Sequence, residues 1–263
     1  MFKQRVLTAL VLVPLVLMAI YFATTGVLAG LVALLMVLLG WEWLQLIPLE
    51  RPVYRMSFIA ALLLLIVPAV YWLDAWLWVD LVCWGAILGA VLTFPMSEKM
   101  WGKRAIVCGA GLLLLPVVAS ALSALYQQPQ GRDLVVYLLC LIWAADIGAY
   151  LAGKQWGLTK LIPAVSPGKT VQGTMGGCAL AILVAGLGAV YFKPLSMMVW
   201  FVVAISTALM SMLGDLFISM LKRRCHLKDT GRIFPGHGGV LDRLDSFIAA
   251  LPLFYFLYGF LIR

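Results

Sequence analysis

Charged side chains are concentrated in residues 219–246, "SMLKRRCHLKDTGRIFPGHGGVLDRLDS", within a chain that is otherwise strongly apolar. Asp242 and Asp245 stand three residues apart, a spacing that puts them on one face of a helix. Such a carboxylate pair suits Mg²⁺ bound to a polyphosphate, because Mg²⁺ needs only one or two protein carboxylates besides phosphate oxygens and waters. We expect a cationic rim beside the pair, formed by "KRR" at 222–224 and by "KD" at 228–229.

The glycines of "FPGHGG" predict a turn in which the backbone can approach a ligand closely. His237 stands between them, and its type fits a base, a ligand, a phosphate donor or a residue that orders its own turn. His226 is interpreted as structural or surface-exposed. The two histidines lie far apart and are accompanied by carboxylates, so a zinc site is not favoured.

Two further acids interrupt apolar segments. Asp146 lies within "LLCLIWAADIGAYLAGKQWG", where an unpaired carboxylate costs about 2.5 to 3.5 kcal/mol near the centre of a bilayer. It shares a helical face with Tyr150 and Gly153, so we expect it to line a cavity, or alternatively to cap or pair within the bundle. Asp215 shares a face with Ser219 and Lys222, which predicts either a joint cation and phosphate site or a salt-bridged helix end.

The segment "VSPGKT" precedes another apolar run and is predicted to be a loop. Ser166, Lys169, Thr170 and the free amides at a helix N-terminus suit an anion such as phosphate. A helix cap with a solvated lysine would look the same. The upstream glycines of a Walker A motif are missing and no strand is predicted before the segment, so a P-loop is not favoured.

The composition determines how these groups are placed. Of the 263 residues, 64% are hydrophobic and only 11% are charged, which predicts an all-α integral membrane protein. Runs of about 20 apolar residues can cross a bilayer as helices. Glu42 and Asp80 lie near one end of the second and fourth runs, so one of these spans is a candidate for an interfacial helix. We predict a bundle of about nine transmembrane helices, over Val6–Ala23, Val27–Ile47, Ser57–Trp72, Trp76–Pro95, Ala105–Leu125, Leu134–Leu151, Val171–Tyr191, Met198–Leu221 and Ser246–Ile262.

Nine spans would place the two termini on opposite sides of the membrane. All of the 19 lysines and arginines except Arg132, Lys193 and Arg263 would then lie on the side of the N-terminus. Positive residues favour the cytoplasmic side, so we expect a cytoplasmic N-terminus and a cytoplasmic 219–246 segment. The net charge of +8 is explained by cations that lie next to anionic lipid headgroups on the cytoplasmic face. No nucleic acid is therefore expected as a partner.

The reactive groups predict two regions along the chain. Residues 1–125 are interpreted as about five transmembrane helices without a reactive constellation. Residues 126–263 are interpreted as a catalytic region of about four helices plus cytoplasmic loops. The five cysteines are scattered without a CxxC pair, which indicates small core residues rather than a disulfide or metal framework.

Residues 219–245 resemble the signature of the phosphatidate cytidylyltransferases, S-x-x-K-R-x(4)-K-D followed by P-G-H-G-G-x-x-D-R-x-D, with every anchored position filled. Two upstream segments, "DIGAYLAGKQWG" and "SPGKTVQGTMGG", resemble further motifs of that family. Gln172 stands where many members have an acid, so no metal role is assigned to it. The resemblance covers the second half closely, whereas the first half is similar only in being a bundle of spans.

The resemblance implies transfer of CMP from CTP to phosphatidate, giving CDP-diacylglycerol and pyrophosphate, in a bacterial inner membrane with the active site facing the cytoplasm. Mg²⁺ is the implied cofactor, with Asp215 and Asp242 as ligands supported by Asp245 and Asp146. Expected partners are CTP, phosphatidate of the inner leaflet and membrane lipids, and a second copy of the chain, forming a homodimer, is a further candidate. Residues expected at the catalytic centre are Asp215, Lys222, His237, Asp242, Arg243 and Asp245. Residues expected to bind substrate are Ser166, Lys169, Thr170, Ser219, Arg223, Lys228, Asp229, Gly238 and Gly239.

Three other functions fit parts of the pattern. A CTP-dependent lipid-alcohol kinase would leave CDP and a phosphorylated alcohol instead of pyrophosphate. An ion-coupled transporter would use Asp146 and Asp215 as pathway acids, but it predicts matched interrupted spans in two halves, which the chain does not show. A non-catalytic scaffold would leave the carboxylate and glycine pattern unexplained.

Overall fold

The computed structural model describes residues 2–47, 51–231, 233 and 238–262. The helices are α1 (Phe2–Phe22), α2 (Thr25–Trp43), α3 (Pro52–Tyr71), α4 (Leu73–Leu92), the short α5 (Glu98–Trp101), α6 (Arg104–Tyr126), α7 (Gly131–Trp156), α8 (Val171–Phe192), α9 (Met197–Arg224) and α10 (Leu241–Leu257). A π-helical turn, Tyr258–Ile262, continues α10. The predicted all-α membrane fold is confirmed.

Eight helices in the described part of the chain are long and apolar enough to cross a membrane. They correspond to the second to ninth predicted spans. The first predicted span lies on α1, whose apolar part within those residues, Leu10–Phe22, is shorter. The count of nine and the side of the N-terminus therefore stay predictions.

A small sheet that the sequence did not indicate lies in the described part of the chain. Strands β1 (Lys160–Ile162) and β2 (Ser166–Thr170) pair antiparallel, with Lys160 opposite Thr170. The predictions that "VSPGKT" is a loop and that no strand precedes it are therefore wrong. The cause is local, because a tight turn between short segments closes a hairpin without any alternating hydrophobic pattern.

The chain divides into two compact units that interleave along the sequence. The first comprises Met1–Trp76, Lys99–Val136 and Leu221–Leu244, and the second comprises Leu77–Glu98, Tyr137–Met220 and Asp245–Arg263. These units describe compactness, whereas the division predicted after residue 125 concerns function. That division stays a prediction.

In the first unit, α2, α3 and α6 pack on one another. Gly111 of α6 lies directly against the ring of Trp43, whose Nε1 donates to the Val107 carbonyl at 3.0 Å. Gly40 of α2 lies against Leu62 of α3. This packing fixes the C-terminal end of α2, which is predicted to lie on the cytoplasmic side. Glu42 is buried at this end.

In the second unit, α7 and α8 approach each other through small residues. Gly176 lies against the backbone of Gly148, and Gly177 lies against the carbonyl of Ala145. Side chains this small allow two helix backbones to touch, as is common inside membranes. The close contact holds the start of α8, and with it the β1–β2 hairpin, beside α7.

Candidate active site

Asp242 is the centre of a buried hydrogen-bond cluster in the first unit. It lies in the first turn of α10 and is 7% exposed. Its Oδ1 accepts a hydrogen bond from Lys222 Nζ at 2.7 Å. Its Oδ2 accepts from the backbone amides of Thr230 at 2.8 Å and Gly239 at 2.9 Å. One carboxylate thus ties the end of α9, the following loop and the start of α10 together.

Glu42 is a second buried carboxylate in this cluster, and sequence reasoning assigned it no function. It is 2% exposed, and its Oε1 accepts from the Val240 amide at 2.9 Å. Its Oε2 accepts from the Leu241 amide at 2.7 Å and from Thr230 Oγ1 at 3.2 Å. An anion at these amides stabilises a helix N-terminus, so Glu42 positions the start of α10 and the Asp242 that follows.

The sequence predicts that the backbone of these glycines approaches a ligand closely. In the structure it approaches the carboxyl groups of Glu42 and Asp242. Gly231 and Gly239 lie against the carboxyl group of Glu42, and a side chain at Gly239 would overlap with it. Gly238 has φ +81°, a conformation that favours glycine, and an added Cβ would lie 2.8 Å from Asp242 Oδ2. Gly238 and Gly239 therefore shape the cluster, and their predicted role in binding substrate remains a prediction.

Lys169 and Asp215 form an ion pair in the second unit. Lys169 Nζ lies 2.7 Å from Asp215 Oδ2 and also donates to the Met212 carbonyl at 3.4 Å. Ser219 Oγ donates to Asp215 Oδ1 at 3.2 Å, which confirms the predicted common face of these two residues. The ion pair attaches the hairpin to α9, so Lys169 reaches a carboxylate in addition to any phosphate it binds.

The hairpin itself leads directly into α8. Thr170 is buried and caps that helix, because its side-chain oxygen accepts from the Gly173 amide at 3.1 Å. Ser166 is half-buried at the other end of β2. The three residues predicted to bind an anion in this segment therefore differ. Thr170 caps the helix, whereas Ser166 and Lys169 remain partly exposed.

Asp215 and Asp245 belong to two helices, α9 and α10, that are in close contact. The contact is made at Gly214, the residue before Asp215. Gly214 of α9 lies directly against the backbone carbonyl of Asp245, and a methyl group at Gly214 would lie 2.9 Å from the Cβ of Ala249. Asp245 is 9% exposed, and its Oδ1 accepts from the Ser246 amide at 2.8 Å. Within the described ranges no group of three or more His, Cys, Asp or Glu side chains forms a metal cage.

The remaining predicted residues differ in exposure. Four of them are exposed and lie close in sequence to the residues of the Asp242 cluster, namely Arg223, Lys228, Asp229 and Arg243. Asp146 is exposed on α7, whereas Gly153 of the same face is covered by Thr170. His237 lies outside the described residues.

Similarity to known proteins covers nearly the whole chain. Residues 3–261 match the model of the cytidylyltransferase family. The chain belongs to this family. A phosphatidate cytidylyltransferase of Pseudomonas aeruginosa is 38% identical over 97% of this chain and 96% of its own length. One from Haemophilus influenzae is 35% identical over the full length of both chains, and one from Staphylococcus aureus is 44% identical over 47% of this chain and 48% of its own.

Membership of the cytidylyltransferase family confirms the resemblance drawn from residues 219–245. It also extends that resemblance to the first half of the chain, for which sequence reasoning found no motif. Glu42, in that first half, supplies a physical link, since its carboxylate is bonded to the loop and helix that carry the signature. The eight long apolar helices found among the described residues, together with the bacterial relatives, indicate a multi-pass membrane protein.

Proposed function

We propose that this chain is a phosphatidate cytidylyltransferase, which transfers CMP from CTP to phosphatidate and releases pyrophosphate. The observation that carries the proposal is the full-length similarity to bacterial enzymes of that name. In support, the Asp242 cluster of the first unit and the Lys169–Asp215 pair of the second unit each contain charged groups that suit phosphate.

The reaction makes few chemical demands on the protein. A phosphate oxygen of phosphatidate attacks the α-phosphorus of CTP, the bond to the β-phosphate oxygen breaks, and pyrophosphate leaves. The nucleophile is already anionic, so catalysis rests on bringing two anions together and stabilising the charge of the transition state. Lys222 suits this task because Asp242 holds its ammonium in one position and leaves its other donors for phosphate.

Arg223, Lys228 and Arg243 are exposed cations of the same unit. We assign them to attraction and binding of the triphosphate and of the lipid phosphate. Lys169 and Ser166 are assigned the same task in the second unit. Positive-inside asymmetry supports a cytoplasmic position for all of them, in a bacterial inner membrane and facing inner-leaflet phosphatidate.

The carboxylates fit Mg²⁺ held largely by substrate phosphates. Asp215 is half-exposed, and its helix touches that of Asp245 through Gly214. Two carboxylates are enough for Mg²⁺, which keeps waters and phosphate oxygens as its other ligands. Bound there, the metal would neutralise phosphate charge. Asp242 has three donors already, and its metal role, like that of Asp146 and the formation of a homodimer, stays a prediction.

The decisive experiment uses purified full-length protein with phosphatidate vesicles, Mg²⁺ and CTP labelled in the α-phosphate. We expect the label to enter the lipid and unlabelled pyrophosphate to appear in equal amount. Labelled CDP with no label in the lipid would instead show transfer of the γ-phosphate, as in a lipid kinase, and overturn the proposal.

Asp215→Asn tests the metal assignment in the same assay. We expect its activity to fall at least about tenfold, because a neutral amide is a poor Mg²⁺ ligand. Asp74→Asn is the matched control, since Asp74 is exposed in the first turn of α4. Full activity of Asp215→Asn at saturating Mg²⁺, at equal protein levels, would exclude Asp215 as a ligand.

A further inference from the structure

The first unit contains a cavity of about 610 Å³ beside the Asp242 cluster. Its volume lies within the range of small-molecule sites in proteins. Its walls are the end of α2 and the loop after α9. The lining residues are Trp41, Glu42, Gln45, His226, Leu227, Lys228, Asp229, Thr230, Gly231 and Ile233.

Thr230 connects this cavity to the proposed phosphate-binding groups. Its backbone amide bonds Asp242, which in turn holds Lys222, and its hydroxyl bonds Glu42. Thr230 is 3% exposed and Glu42 is 2% exposed. The shared wall is therefore fixed before a ligand enters, and Asp242 connects this wall to Lys222, a lysine that suits a phosphate.

The cavity also carries hydrogen-bonding groups that the rest of the cluster does not use. Asp229 and Gln45 are exposed, and their side chains make no hydrogen bond within the described part of the chain. Trp41 is 48% exposed, and the Arg55 guanidinium lies 4.8 Å from its ring centroid. An aromatic wall with a carboxylate and an amide, next to the cation of Lys228, suits a nucleotide base.

We propose that this cavity binds the cytosine nucleoside part of CTP, with Asp229 as the residue that selects cytosine. The inference rests on the proposed function. Cytosine presents an amino donor, N4–H₂, where uracil presents the O4 acceptor, and an ionised carboxylate can only accept. Asp229 therefore accepts from N4 and leaves uracil unpaired, while Gln45 bonds the same base edge and Trp41 provides apolar contact.

The test compares kcat/KM for CTP and UTP in CMP or UMP transfer to phosphatidate. Wild type should prefer CTP. Asp229→Asn should lower the CTP/UTP ratio about tenfold or more, because an amide both donates and accepts. A fall in kcat/KM by the same factor for both nucleotides would overturn the inference, since Asp229 would then serve phosphate or metal.

Gln45→Ala provides a second test that does not depend on the folding of Asp229→Asn. We expect a rise in KM for CTP of about fivefold or more with little change in kcat, and an unchanged KM for phosphatidate. Gln127→Ala, an exposed glutamine at the end of α6, is the control. An unchanged KM for CTP would overturn the inference, and a raised KM for phosphatidate alone would in addition assign the cavity to the lipid headgroup. Transfer of label by the wild type in any of these cases leaves the proposed function standing.

Discussion

Replacing Glu42 by glutamine tests whether a residue from the first half of the chain holds the signature segment in place. The carboxylate accepts three hydrogen bonds, from the Val240 and Leu241 amides and from Thr230 Oγ1. A glutamine oxygen at the Oε2 position keeps two of them as neutral bonds. The amide nitrogen then faces the Val240 N–H, which loses its acceptor.

The energetic cost follows from this count. A hydrogen bond to a charged group contributes about 1.5 to 3 kcal/mol, and a buried donor without a partner costs about 1 to 3 kcal/mol. We expect Glu42→Gln to destabilise the ordered start of α10 by about 2 to 4 kcal/mol. Each 1.4 kcal/mol or so is a factor of ten in an equilibrium, so the fraction of protein with Asp242 in place falls substantially.

One assay measures transfer of the α-phosphate label of CTP to phosphatidate. The other measures thermal unfolding of the same purified protein in detergent. We expect kcat/KM to fall at least about tenfold and the melting temperature to fall as well. Glu98→Gln is the matched control, because Glu98 is half-exposed on α5. Wild-type activity and melting temperature in Glu42→Gln would refute the assignment of Glu42 as a positioning residue.

Three further predictions concern the Lys222–Asp242 pair, the Thr170 cap and the contact of α7 with α8. Lys222→Met leaves Asp242 buried without its cation, which should cost about 3 to 5 kcal/mol in urea unfolding; Lys222→Arg should retain much of that stability but lose activity, because a guanidinium does not reproduce the geometry of an ammonium. Equal loss of stability in both variants would contradict this view of the pair. Thr170→Val removes the cap on the Gly173 amide and should cost about 1 kcal/mol, and an unchanged unfolding midpoint would exclude the cap. Gly148→Leu should prevent close packing of α7 on α8 and abolish the monodisperse peak in size-exclusion chromatography, whereas a normal peak would show that the helices tolerate separation.

The long helices were predictable from the sequence because span length and apolar composition are local properties. The predicted seventh span, Val171–Tyr191, corresponds to α8, Val171–Phe192. The predicted eighth span, Met198–Leu221, corresponds to α9, which continues through its cationic end to Arg224. Helical spacing likewise predicted the contact of Ser219 with Asp215, since four residues along a helix return to the same face.

The tertiary partners of the charged residues were not predictable in the same way. Glu42 and Leu241 are 199 residues apart in the sequence, and no periodic pattern relates them. Lys169 and Asp215 meet because the hairpin folds toward α9, and the hairpin itself has no alternating pattern. A buried acid at the end of an apolar span was the one available signal for Glu42, since such a group is expensive without donors.

The paired lysines explain how the cationic groups of each unit can be ordered before substrates arrive. Lys222 is held by Asp242, and Lys169 is held by Asp215. A lysine held by a carboxylate has already lost most of its side-chain freedom, so binding phosphate costs less conformational entropy. The carboxylate also reduces the repulsion among neighbouring cations. Asp242 in turn keeps its position because Thr230 and Gly239 donate to it, and Glu42 fixes Thr230. Loss of Glu42 should therefore weaken the binding of anionic substrates even though Glu42 is itself an anion, a direction of effect opposite to that expected from net charge alone.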